Sequence, residues 1–168
     1  MDKLPWLEKY SRQSTKDLLA LEGKYRIDSI IVAFDQAIGQ KAARIGEVKL
    51  NEEEIIISAI ESLESEVNNG GYSQYFVNYS KEYAAIIINA LNRIGCERVA
   101  VITKNAIECL NINGQVTTDA IDKVMSLENE ERDKKLSELD NQYYNSGEDI
   151  AGKLFEFIKN NVQNISIP

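Results

Sequence analysis

Thirteen consecutive residues, Glu66-Val67-Asn68-Asn69-Gly70-Gly71-Tyr72-Ser73-Gln74-Tyr75-Phe76-Val77-Asn78, hold the side chains of this chain best suited to chemistry. Glu66 supplies a carboxylate. Asn69, Gln74 and Asn78 supply carboxamides, which can bind a small polar ligand or a partner's main chain in a ligand-binding or enzymatic pocket. The same residues also suit architecture. Gly70 and Gly71 permit positive φ after a helix, and the asparagines beside them can bond to turn backbone. Tyr72, Tyr75 and Phe76 have the spacing of one helical face and would pin the turn to the core. Gln74 and Asn78, four apart, share another face. Buried amides more often brace a loop than bind a substrate, so the architectural reading leads.

A second feature runs into the first. Residues 51–66 carry six glutamates and no basic side chain. On a helical wheel, Ile56, Ala59, Ile60, Leu63 and Val67 span about 100° and face a core. Glu53, Glu54, Glu61 and Glu64 line a flank beside that stripe. Glu52, Glu53 and Glu54 gain from the helix dipole in the first turn, whereas Glu61, Glu64 and Glu66 sit where the dipole disfavours them. This points to two uses of the flank: a solvated face, or an acidic patch of Glu53, Glu54, Glu61 and Glu64 that binds a partner. Glu128, Glu130, Glu131, Asp133, Glu138 and Asp140 form a possible second patch, diluted by Arg132, Lys134 and Lys135.

The missing residue types exclude a good deal. The chain contains no histidine, so Ser-His-Asp and Cys-His catalysis cannot be built, nor can imidazole zinc sites. The Glu-x-x-His pairs of di-iron bundles cannot be written either, and no Gly-x-Gly-x-x-Gly or P-loop spacing cradles a nucleotide. Cys96 and Cys109 lack metal or redox spacing and read as thiols of a reducing cytoplasm. Residues 1–10 have no apolar core and are read as no signal peptide. No eighteen-residue apolar run exists to cross a membrane. Neither an enzyme nor a bound cofactor is expected. Net charge is −8, from 19 basic and 27 acidic residues. That repels phosphate backbones, so direct nucleic-acid binding is not expected, and it attracts basic proteins.

The elements that must position these residues read as helices. Ser14-Thr15-Lys16-Asp17 matches a capping box. Apolar spacing predicts a helix over 25–45, closed by Gly46. Asn51 caps a helix to about 68, which Gly70 and Gly71 break. Further helices are predicted over 81–94, 97–111, 118–127, 128–144 and 148–162. Ile55-Ile56-Ile57 and Ile86-Ile87-Ile88 could be strand residues, but helical context outweighs them. The fold class expected is all-α, about eight helices in one domain over 1–168.

The run over 66–78 resembles the signature of the bacterial domain of unknown function 4375, the DNA mimic protein family. Ala90-Leu91-Asn92-Arg93-Ile94-Gly95-Cys96 is similar to its Ala-Leu-x-x-Ile-Gly-Ala segment, and Leu139-Asp140-Asn141-Gln142-Tyr143-Tyr144 to its carboxy-terminal Leu-Asp-x-x-Tyr/Phe-Tyr element. The resemblance covers about 25–162. Tyr72 stands for the commoner phenylalanine, Cys96 for alanine, and Ser80-Lys81 lacks the usual glycine. It implies an all-helical cytoplasmic protein whose surface carboxylates stand in for phosphates. Such a protein would take part in transcription regulation by sequestering a basic partner, such as a DNA-binding transcription factor. Glu66, Asn69, Gly70, Gly71, Tyr72, Gln74, Tyr75, Phe76 and Asn78 would be structural. Homodimerisation stays open, as does an immunity or scaffold role through an apolar interface.

Overall fold

The computed structural model describes residues 4–167, the side chain of Val48 excepted. Met1–Lys3 and Pro168 lie outside the described residues, and with them the ends of the expected 1–168 domain and the first residues of the stretch read as no signal peptide. Among the described residues there are eight α-helices and no strand: α1 Thr15–Leu19, α2 Ile27–Ile45, α3 Glu52–Val77, α4 Ile87–Arg93, α5 Glu97–Glu108, α6 Thr118–Met125, α7 Glu130–Tyr144 and α8 Ile150–Asn160. The all-α expectation holds. None of these helices is long and apolar enough to cross a membrane.

Local chemistry sets most boundaries. Ser14 and Asp17 close the expected capping box on α1. Gly46, at φ 89°, ends α2 in a conformation that side chains disfavour. Asn129 and Asp149 accept backbone N–H groups at the starts of α7 and α8. One expectation fails. The helix predicted over 81–94 is a 3₁₀ turn at Tyr79–Tyr83 followed by the shorter α4. Ala84 and Ile86 donate to carbonyls only three residues back, to Lys81 and Tyr83. Ala85 and Ile86, at the end of that tight winding, are exposed.

The chain divides into two compact units, Met1–Glu61 with Asp149–Pro168, and Ser62–Glu148. In the first, α2 packs on α8 and α1 on α2, around Leu18, Ile30, Phe34, Ile57, Phe155 and Ile158. In the second, α5 packs on α4 and on α7, and α6 lies against the 3₁₀ turn. Leu63, Tyr72, Phe76, Leu91, Val99 and Leu136 are buried there. The second unit carries the thirteen-residue run.

Candidate functional site

The break in α3 falls where the glycines are. Gly71 adopts φ 73° and ψ −175°, open only to glycine. A Cβ there would stand 2.3 Å from a carboxylate oxygen of Asp140. That carboxylate accepts the Tyr72 N–H at 2.8 Å, capping the helical segment that restarts after the break. Burial pushes the Asp140 carboxyl up, and the Tyr72 N–H opposes this. Asp140 belongs to the Leu139–Tyr144 element, whose two tyrosines also grip the break. Tyr144 donates to the Val67 carbonyl at 2.6 Å, and Tyr143 donates to Glu64. The Tyr72 and Tyr143 rings meet edge to face at 6.0 Å. Tyr72 further bonds the Thr103 hydroxyl at 2.8 Å. Tyr72, Tyr75 and Phe76 are all fully buried, as their spacing predicts.

Glu66 spans the break from its first half to its second. Its Oε2 accepts from the Gln74 amide at 2.6 Å and the Asn78 amide at 2.8 Å. Asn69 is exposed and stands apart from these bonds. A pocket built on Glu66, Asn69, Gln74 and Asn78 would need those groups turned toward a ligand. Three of the four instead satisfy one another.

The acidic flank of α3 is only partly open to solvent. In the first unit, Glu54 is wholly buried. It pairs with Lys41 of α2 at 2.6 Å and accepts the Ser166 N–H at 3.0 Å. It also closes a capping box: Asn51 accepts the Glu54 N–H at 2.9 Å while Glu54 accepts the Asn51 N–H at 3.2 Å. Asn51-Glu52-Glu53-Glu54 carries that signature, and it was the signal available in the sequence for an inward Glu54. Glu54 is therefore shielded from solvent rather than part of an exposed patch. Glu53 is half-buried and accepts from Asn164 at 3.2 Å, and Glu61 is half-buried. In the second unit Glu64 is half-buried and accepts from Tyr143. The wheel gave angular spacing correctly. It carried no information on how many neighbours wrap this helix.

The exposed carboxylates of the second unit include Glu128, just before α7, and Glu130, Glu131, Asp133 and Glu138 on it. The expected dilution by basic residues is partial. Arg132 is turned inward, with 6% of its side chain exposed. Its Nη1 donates to the Val124 and Leu127 carbonyls at 2.7 and 3.0 Å, closing the end of α6. Lys135 pairs with Glu131 at 2.7 Å, and this holds the Glu131 carboxyl below its usual range. Asp140, expected in the same patch, faces the break in α3. Among the described residues no cluster of three or more histidine, cysteine, aspartate or glutamate side chains could hold a metal ion. Cys96 and Cys109 are free thiols.

A family model described as DMP19-like protein matches residues 48–161. The chain belongs to the DMP19-like family. The match begins just before α3, so α1 and α2 precede the family region. It contains the break in α3, the α4–α5 junction and α7. No match was found among curated proteins or among solved structures.

Proposed function

We propose that this DMP19-like chain is a non-enzymatic, cytoplasmic bacterial protein that regulates transcription by mimicry. In this reading its carboxylates occupy the phosphate-binding surface of a basic DNA-binding protein, a transcription factor, and keep it from DNA. The narrower label, domain of unknown function 4375, belongs to the same proposal. The observation that carries it is the face of α7. Glu130 and Glu138 are exposed there with Glu128 just before the helix; Arg132 is turned inward, bonding the Val124 and Leu127 carbonyls and pairing with Asp133, while Lys134 and Lys135 stay exposed and dilute the charge in part. A DNA-reading surface recognises mainly an array of negative charge, and such contacts weaken as salt rises. Net charge supports the same direction, since the second unit holds fourteen acidic and eight basic residues.

The test is capture of DNA-binding proteins from a bacterial lysate on the immobilised chain, followed by affinity measurement against salt for whatever is retained. The Glu128→Lys/Glu130→Lys/Glu138→Lys variant should bind about tenfold more weakly at low salt. Glu54→Gln should leave binding unchanged. Capture indifferent to salt and to charge reversal on α7 would sink the proposal.

A further inference from the structure

Helices α5 and α7 pack on each other in the second unit. Between them runs an open groove of about 570 Å³, a size that suits small ligands. Its floor is apolar, with Ile102 buried and Val101 58% exposed. Carboxamides wall it: Asn105 on α5, Asn141 and Gln142 on α7, and Asn145 just past the end of α7. Arg98, seven residues before Asn105 on α5, supplies the charge. No carboxylate among the described residues lines the groove. In a unit of fourteen acidic and eight basic residues, it has the opposite sign.

The polar groups are preset. Arg98 Nη1 donates to the Ser146 carbonyl at 3.0 Å, which positions the guanidinium and engages one of its five N–H groups. The others have no bond among the described residues. Asn141 and Asn145 donate their amide nitrogens one turn back, to the Ser137 and Asn141 carbonyls at 3.1 and 2.7 Å, so each keeps an oxygen as acceptor. Asn105 and Gln142 are exposed and offer both donor and acceptor. Glu148 is bonded to the Val99 N–H at 2.8 Å and lies outside the lining.

Mixed donors and acceptors match a peptide main chain, which carries one N–H and one C=O per residue. A guanidinium with open N–H groups matches a carboxylate through charge-assisted bonds. Length agrees as well. Seven residues of helix from Arg98 to Asn105 rise about 10 Å, and three extended residues span about the same. Other ligands fit less well. A nucleobase would find no aromatic ring among the described lining residues to stack on. A phosphate would meet a single cation in a chain of net charge −8.

We infer that this groove binds the C-terminal end of a peptide. The terminal carboxylate sits on Arg98, the last side chain, an apolar one, on Val101 one turn along, and the main chain between the carboxamides. Capture of a terminal carboxylate is an established mode of peptide recognition. The site does not depend on the acidic face of α7.

The probe is acetyl-Ala-Ala-Val with a free terminal carboxylate, titrated into the isotope-labelled full chain and followed by NMR amide signals, those of the groove side chains included. The same peptide as its C-terminal amide should bind about tenfold more weakly, the loss expected for one charge-assisted hydrogen bond. Arg98→Gln should bring acid and amide together. The Asn105→Ala/Gln142→Ala variant, altered only at exposed side chains, should weaken both by about fivefold and keep the preference for the acid. The acid–amide comparison on the parent chain stands even where Arg98→Gln fails to fold. An acid preference that survives in Arg98→Gln overturns the assignment. So do equal affinities for acid and amide, signal shifts confined to other faces, and a peptide that does not bind. Acetyl-Ala-Asp-Val amide binding as tightly as the free acid would place a side-chain carboxylate in the groove and overturn recognition of the terminus.

Discussion

In the unit of Met1–Glu61 and Asp149–Pro168, thirteen acidic residues face eleven basic ones. The acid that fixes most in that unit, Glu54, is wholly buried against Lys41, Asn51 and Ser166. In the unit of Ser62–Glu148 two groups of acidic residues stand out. Glu64, Glu66 and Asp140 hold the break in α3, each accepting from a side chain or backbone N–H of that unit. Glu128, Glu130 and Glu138 stand exposed at α7. The densest run of negative charge in the sequence is therefore only partly surface, with Glu54 wholly buried and Glu53, Glu61, Glu64 and Glu66 half-buried. A carboxylate becomes a structural part wherever a cation or a set of N–H donors meets it away from water, and only the remainder is left for a partner.

The sharpest way to break this contrast is Glu54→Ala. It strands the Lys41 ammonium and the Ser166 and Asn51 N–H groups, and should cost about 3–5 kcal/mol, read as a lower urea midpoint. If Glu54 were a solvated or partner-binding acid, the midpoint would hardly move. Next comes Gly71→Ala, which meets both a forbidden φ and the Asp140 carboxylate, at about 3 kcal/mol. Its comparator in the first unit is Gly46→Ala, where φ is 89° but nothing lies within 4 Å of the added Cβ. That variant should lose only about 1 kcal/mol, and equal costs at the two sites would show that close approach to Asp140 adds nothing.

The smallest effect is one of pH. Burial raises the Asp35 carboxyl above its ordinary 3.8, with the Ser58 hydroxyl at 2.7 Å opposing the shift. The folded state then binds more protons than the unfolded one, so this group's share of stability is greatest below 3.8 and is lost as pH rises through the raised value. Asp35→Asn keeps an acceptor for Ser58 and removes the charge. It should match the parent in acid and exceed it near neutrality in urea unfolding. A variant less stable than the parent at neutral pH would show that the Asp35 charge is compensated by groups other than Ser58.

Helix breaks and caps were the most legible parts of the chain. Ser14, Gly46, Asn51 and Gly71 each act through bonds or angles within a few residues, so the sequence carries their signal directly. The break at Gly70 and Gly71 and the buried face of Tyr72, Tyr75 and Phe76 followed from spacing alone. Which groups complete the site was not legible in that way. Asp140, Tyr143 and Tyr144 reach the break from some seventy residues away, and no local pattern encodes that meeting. Arg132 looked like a surface cation diluting the acidic face of α7. Its inward turn depends on where the last carbonyls of α6 lie.

By itself the sequence determined the helical class, many of the element ends and the position of the break, because backbone propensity, capping and glycine conformations are local. Tertiary structure alone decided which carboxylates are walls and which are surface. Helical periodicity states the angle between two side chains, but burial depends on how many neighbours surround the helix. Around α3 in the first unit those neighbours include α2 and the segment carrying Ser166, so Glu54, outside the apolar stripe, is buried none the less.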